Sequence, residues 1–216
     1  MIYTEETAKL VALHLLEIKA IKLNIKQPFT WASGLHSPIY CDNRIALSYP
    51  VIRTFIRQQL AAAANEHFEG VQMISGVATA GIPQGTLLAQ ELGLPFTYVR
   101  SSKKNHGMTN QIEGMVHDGQ TAVVVEDLVS TGKSSLIAVE ALRNAGVDVK
   151  GMLAIFSYDL PLALANFEKA SCKLITLSDF PHLIKVAQEE NYIKNGDLKS
   201  LEKWREDPEK WSADHS

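Results

Sequence analysis

Residues 121–146 read TAVVVEDLVSTGKSSLIAVEALRNAG. The run 121–125 is apolar and β-branched, the length and texture of a buried strand. Two adjacent acids follow, Glu126 and Asp127, and then a loop of hydroxyls and glycine through Leu128, Val129, Ser130, Thr131, Gly132, Lys133 and Ser134. From 132 to 145 the apolar residues recur at helical spacing, and Gly146 closes the run. Strand, loop, helix is the repeating unit of an α/β protein. Upstream, strands are expected at 71–75 and 96–100 around a tight 76–81 loop and a helix at 82–92, ended by Gly93. A polar stretch at 101–111 reads as a long loop, and a strand at 112–116 turns back at Asp118-Gly119 into 121–125. Downstream the pattern gives a strand at 149–156, a helix at 160–170, a strand at 173–177 and a helix at 182–194. Such alternation predicts a parallel sheet flanked by helices, with ligands at the carboxyl ends of the strands.

The flanks are less regular. Val11, Leu15 and Ile18 mark an amphipathic helix over 5–19. Residues 28–42 are punctuated by proline and glycine. Ser48 ahead of Pro50 offers a helix cap, and Ile52, Phe55, Ile56 and Leu60 give that helix its apolar stripe. The stretch 196–216 is densely charged, with Trp204 and Trp211 on one helical stripe. These features suggest a small hood at 1–45, a core at 46–180 and a charged helical tail at 181–216.

Composition narrows the function. The chain has 216 residues, 21 Lys and Arg against 24 Asp and Glu, and a net charge of −3. That leaves no basic surplus for a phosphate polymer, so nucleic acid is not expected as a partner. Two cysteines are too few for a disulfide framework and point to a reducing, cytoplasmic setting. No apolar run reaches the roughly 20 residues of a membrane span, so no membrane partner is expected, and the acidic opening residues do not resemble a targeting segment.

The 126–134 segment carries the chemistry. Backbone N–H groups at a helix start form an anion site, hydroxyls add donors, and glycine lets a phosphate approach. Two carboxylates beside a bare phosphate would repel it. They suit a phosphate carried on a sugar, whose vicinal hydroxyls need acceptors. Gly132-Lys133-Ser134 also matches the end of a nucleotide P-loop, but that pattern requires glycine at 127, where this chain has Asp127.

The thirteen residues 123–135 resemble the phosphoribosyl-diphosphate signature of the type I phosphoribosyltransferases. Three further blocks, FTWASGLHSPIYCDNR at 29–44, GVATAGIP at 76–83 and YVRSSKKNHGMTNQIEG at 98–114, resemble the orotate-using branch of that family. The resemblance implies transfer of a 5-phosphoribosyl group from phosphoribosyl diphosphate (PRPP) to orotate in pyrimidine biosynthesis. It implies Mg2+ riding on PRPP with no protein metal site, and a homodimer whose 101–111 loop is shared across the interface. It assigns Glu126 and Asp127 to the ribose hydroxyls, Ser130 to Ser134 to the 5′-phosphate, Leu128 and Val129 to PRPP binding, and Arg100, Lys104 and His106 to the pyrophosphate. Ser130, Tyr40 and Cys41 fall to the base. Lys104, His106 and Asp127 are the expected catalytic residues. A cationic lid including Lys103 would meet the charge that builds on the leaving group while excluding water. Departures accompany the match: Ala32 and Ala80 stand where some members carry lysines, and 157–159 lacks an arginine that some members use for orotate. A purine-base transferase, or a non-catalytic PRPP-sensing regulator, is the alternative. His14, His67, His117, His182 and His215 have no partner at metal-ligand spacing and are expected to be structural. Cys41 reads as a pocket residue rather than a nucleophile, and Trp31 as packing for the hood.

Overall fold

The computed structural model describes residues 1–31, 33–100 and 111–215, so Ala32 and the expected 101–111 loop, with Lys103, Lys104 and His106, lie outside the described residues apart from Gln111. Helix α1 (Glu5–Glu17) starts at Thr4, whose hydroxyl accepts the Thr7 N–H at 3.1 Å. Four short strands follow: β1 (Ile21–Leu23), β2 (Phe29–Thr30), β3 (His36–Ser37) and β4 (Ile39–Cys41). They pair antiparallel, β1 with β4 and β2 with β3, and form a hood over the sheet end. A 3-10 turn, Asn43–Ser48, leads to α2 (Pro50–His67). Ser48 therefore ends that turn instead of capping α2. Tyr49 takes the cap position without a side-chain bond, and Pro50 opens the helix. Ile52, Ile56 and Leu60 are buried as expected, whereas Phe55 is only half-buried.

The core elements are β5 (Met73–Val77), α3 (Gly81–Leu92), β6 (Phe96–Val99), β7 (Ile112–Glu113), β8 (Thr121–Val129), α4 (Lys133–Asn144), β9 (Asp148–Ser157), α5 (Pro161–Lys169) and β10 (Leu174–Asp179). They build a six-stranded sheet in the order β10-β9-β8-β5-β6-β7. All neighbours run parallel except the edge pair β6 and β7. The expected hairpin at Asp118-Gly119 does not form: β7 pairs with β6, and β8 returns to the middle of the sheet beside β5. The Gly119 N–H bonds to the Gly146 carbonyl at 2.8 Å, so this turn is anchored on the end of α4.

Ala122 to Val125 are fully buried, as a central strand with helices on both faces requires. Packing sorts those helices: α2 contacts both α1 and α3, while α4 contacts α5. One hydrophobic cluster runs from Val11 to Trp211.

After β10 come α6 (Phe180–Glu189), α7 (Leu198–Glu206) and α8 (Pro208–Asp214). Asp207-Pro208 breaks the tail in two, because proline cannot continue a helix and restrains the residue before it. Trp204 and Trp211 therefore sit on separate helices and not on one stripe, and both are buried. The tail is a packed wall. The Ser212 hydroxyl accepts the His36 N–H of β3 at 2.8 Å, and the Trp204 ring lies edge-on to Trp31, 5.8 Å away. His182 is structural, held between Asp179 at 2.6 Å and Glu5 at 3.0 Å. Among the described residues no helix is long and apolar enough to cross a membrane.

Candidate active site

From β5 the chain moves outward to β6 and β7; from β8 it moves the other way to β9 and β10. Between β5 and β8 the strand order reverses, and a crevice opens at such a switch point beyond the carboxyl ends. Here a cleft of about 260 Å3 lies between the turn after β5 (Ala78, Thr79, Ala80) and the end of β8 (Glu126, Asp127, Leu128). The Ala78–Thr79 peptide is cis. Gly81 is needed for the approach of the two elements, since a Cβ there would run into the Val125 carbonyl oxygen.

The structure carries β8 through the acids to Val129, four residues beyond the sequence expectation, because Glu126, Leu128 and Val129 pair with Ala154, Phe156 and Ser157 of β9. Adjacent residues in a strand face opposite ways. Glu126 turns to α4: it is 5% exposed, and its carboxylate accepts the Asp127 N–H at 3.0 Å and the Ser135 hydroxyl at 3.1 Å. Burial first, then the neighbouring Asp127 charge, pushes its pKa up to about 9. Asp127 is half-buried and also raised, by burial. Its carbonyl accepts the Nδ2 of Asn43 at 2.7 Å, which ties the base of the hood to the acid pair. Asp42 and Arg44 wall the same cleft and form a forked ion pair at 2.6 and 2.9 Å.

Past β8 a second cleft, about 380 Å3, runs over Ser130, Thr131, Gly132, Lys133 and Ser134. Gly132 has φ +77°, and a Cβ there would meet the Phe167 ring at 2.6 Å, so only glycine fits. Asn166 of α5 donates to the Thr131 carbonyl at 2.9 Å and holds the loop. Lys133 and Ser134 are exposed in the first turn of α4, among its unpaired N–H groups. A third pocket, about 250 Å3, opens under the hood. Tyr40, Cys41 and Trp31 form one side, Ser130, Leu128 and Tyr158 the other. The three spaces share residues: Leu128 borders all of them, Ser134 the first two, Ser130 the last two and Cys41 the first and third. They are one branched site with arms for three chemical groups.

Most of the expected residues meet here. Burial, then the Asp127 and Asp42 charges, pushes the Cys41 thiol well up, toward its protonated form. Val129 lines none of the three spaces, since its side chain is fully buried and its carbonyl is taken by the Tyr158 N–H at 3.0 Å. Arg100 follows β6, next to the turn after β5, but pairs with Glu113 at 3.5 Å and lines none of the three spaces. Lys104 and His106 lie outside the described residues. The sequence gives no role to Asn43 or Thr79, although both fall within the family-like blocks at 29–44 and 76–83; it sets 157–159 beside the base but does not single out Tyr158, whose side chain lines the third pocket. A larger space, about 600 Å3, lies between α4 and α5 against Leu136, Ile137 and Leu162. It sits against helices, away from the acid pair, and is not the reactive centre.

Comparison with known proteins agrees with this geometry. A model of the phosphoribosyl transferase domain matches residues 52–158. The chain is 53% identical over 204 residues to orotate phosphoribosyltransferase of Streptococcus mutans, covering 94% of this chain and 98% of that protein. It is 52% identical over 203 residues to the Porphyromonas gingivalis protein of the same name, covering 94% and 97%. The crystal structure of orotate phosphoribosyltransferase from Aeropyrum pernix superposes with a TM-score of 0.73 at 26% identity, covering 85% of this chain and 99% of that one.

Proposed function

The chain belongs to the orotate phosphoribosyltransferases, and on that footing we propose which of its residues serve each part of the transfer. The reaction moves a 5-phosphoribosyl group from PRPP to orotate, giving orotidine 5′-phosphate and pyrophosphate for pyrimidine synthesis. One observation carries the residue assignment: carboxylates and a hydroxyl-lined helix start adjoin at the end of β8, in a site with a third, aromatic arm.

The 5′-phosphate sits in the arm over residues 130–134, where Ser130, Thr131 and Ser134 supply hydroxyls and α4 its N–H groups. The ribose hydroxyls lie against Asp127 and Glu126, Asp127 being the more open. Orotate enters the arm between Tyr40, Cys41 and Ser130. The C1′–oxygen bond to pyrophosphate breaks with its electron pair on the leaving group, while N1 of orotate forms the new bond and gives up its proton. Positive charge grows on the ribose beside Asp127 and negative charge on the pyrophosphate, which Arg100, Lys104 and His106 are assigned to meet on the strength of the family resemblance.

Magnesium fits as a rider on the pyrophosphate. Asp127 opens on the cleft where the sugar and pyrophosphate would lie. Bound there, the ion would offset charge on the leaving group. We further infer a homodimer in the cytoplasm, the first from the family pattern of a shared loop and the second from the two free thiols. The test is direct: with PRPP and Mg2+ the protein should consume orotate, followed by its absorbance. Turnover on hypoxanthine or adenine with none on orotate would overturn the reading.

A further inference from the structure

Tyr158 lies just past β9, where the chain leaves the sheet next to the pyrimidine arm. It is 3% exposed, and its ring is fixed on three sides. Trp31 stacks on it at 5.4 Å and 19°, while Trp204 and Phe156 meet it edge-on at 5.3 and 5.9 Å. Trp31 is itself held by its indole N–H, which donates to the Ile39 carbonyl at 3.1 Å. The next residue, Asp159, is clamped to Arg205 of α7 at 2.8 Å. This is a rigid ring on a pocket wall, yet its hydroxyl makes no hydrogen bond with any described residue. The ring is buried, but the hydroxyl is not among the buried polar atoms left without a partner, and the residue borders the pocket, so the oxygen is a donor open to a ligand there.

The rest of the arm says what that donor is for. None of the described residues lining it carries a positive charge. Orotate is a planar acid with carbonyl and carboxylate oxygens, and here it meets hydroxyls: Thr30, Tyr40, Ser130 and Tyr158. Of these Tyr40 is 37% exposed and meets one ring, Phe29 at 5.7 Å, whereas Tyr158 is held by three rings before the ligand arrives. Burial also raises the Tyr158 pKa well above its usual value, so the hydroxyl keeps its proton.

We propose that Tyr158 is a base-binding and selectivity residue, its hydroxyl donating to an oxygen of the pyrimidine acid from an aromatic wall that Trp204 backs. This rests on the orotate reading above. The experiment is Tyr158→Phe, which keeps the ring and removes only the hydroxyl. The KM for orotate should rise about tenfold, with the KM for PRPP unchanged and the melting temperature not lowered, since no internal hydrogen bond is lost. An unchanged orotate KM, or an equal rise for both substrates, would overturn the assignment. Failure of the wild type to consume orotate would instead defeat the underlying reading, so the two failures are distinct.

Discussion

Glu126 is the residue whose chemistry departs furthest from its sequence appearance. Two acids in a row read as twin acceptors; the strand geometry divides them, burying Glu126 against Ser135 of α4 and leaving Asp127 the more open of the two on the cleft they both line. With its pKa moved from 4.5 to about 9, Glu126 stays protonated in the fold while it ionises in the unfolded chain. Above pH 4.5 that difference favours unfolding, and the penalty grows until pH approaches 9. Glu126→Gln removes it. Denaturant melts should show the variant gaining steadily on the wild type as the pH is raised above 4.5, and a pH-independent difference would refute the buried-acid reading. The identity of both acids was legible from residues alone. Their division was not, because it depends on β9 pairing with β8 past Val125, a contact between distant segments.

At the level of elements, the sequence announced the strands and helices of the core well, since glycine ends and apolar runs are local signals. Gly93 and Gly146, for instance, stand where they were expected, in left-handed backbone. Short and proline-broken segments were harder to place. The stretch beyond residue 196, expected as a charged helical tail with Trp204 and Trp211 on one stripe, is two helices whose Leu201, Trp204 and Trp211 are all buried. Helices α7 and α8 lean on the hood through Trp204 and Ser212 and on the loop after β9 through Arg205, and so back the arm assigned to the pyrimidine. Trp204→Ala should cost about 3–5 kcal/mol of stability and raise the KM for orotate while leaving that for PRPP near its wild-type value. Trp204→Phe should recover much of both. Equal damage to both KM values would show α7 to be general scaffolding.

At the scale of the whole molecule, the assigned groups divide between the sheet end and the 101–110 segment. If two copies share their loops, mixing inactive Lys104→Ala and inactive Asp127→Asn proteins under conditions of subunit exchange should restore about a quarter of wild-type activity. Half of the sites then sit in hybrid dimers, and half of those draw both intact groups. Mixtures no more active than their parents would show each site to be self-contained. The reach of Asn43 has a consequence of its own. A single amide, 2.7 Å from the Asp127 carbonyl, joins the segment assigned above to the acceptor to the one assigned to the donor's sugar. To the extent that this bridge passes strain, whatever grip the nucleotide precursor lends to the pyrimidine must be returned by the same factor when the pyrimidine arrives first.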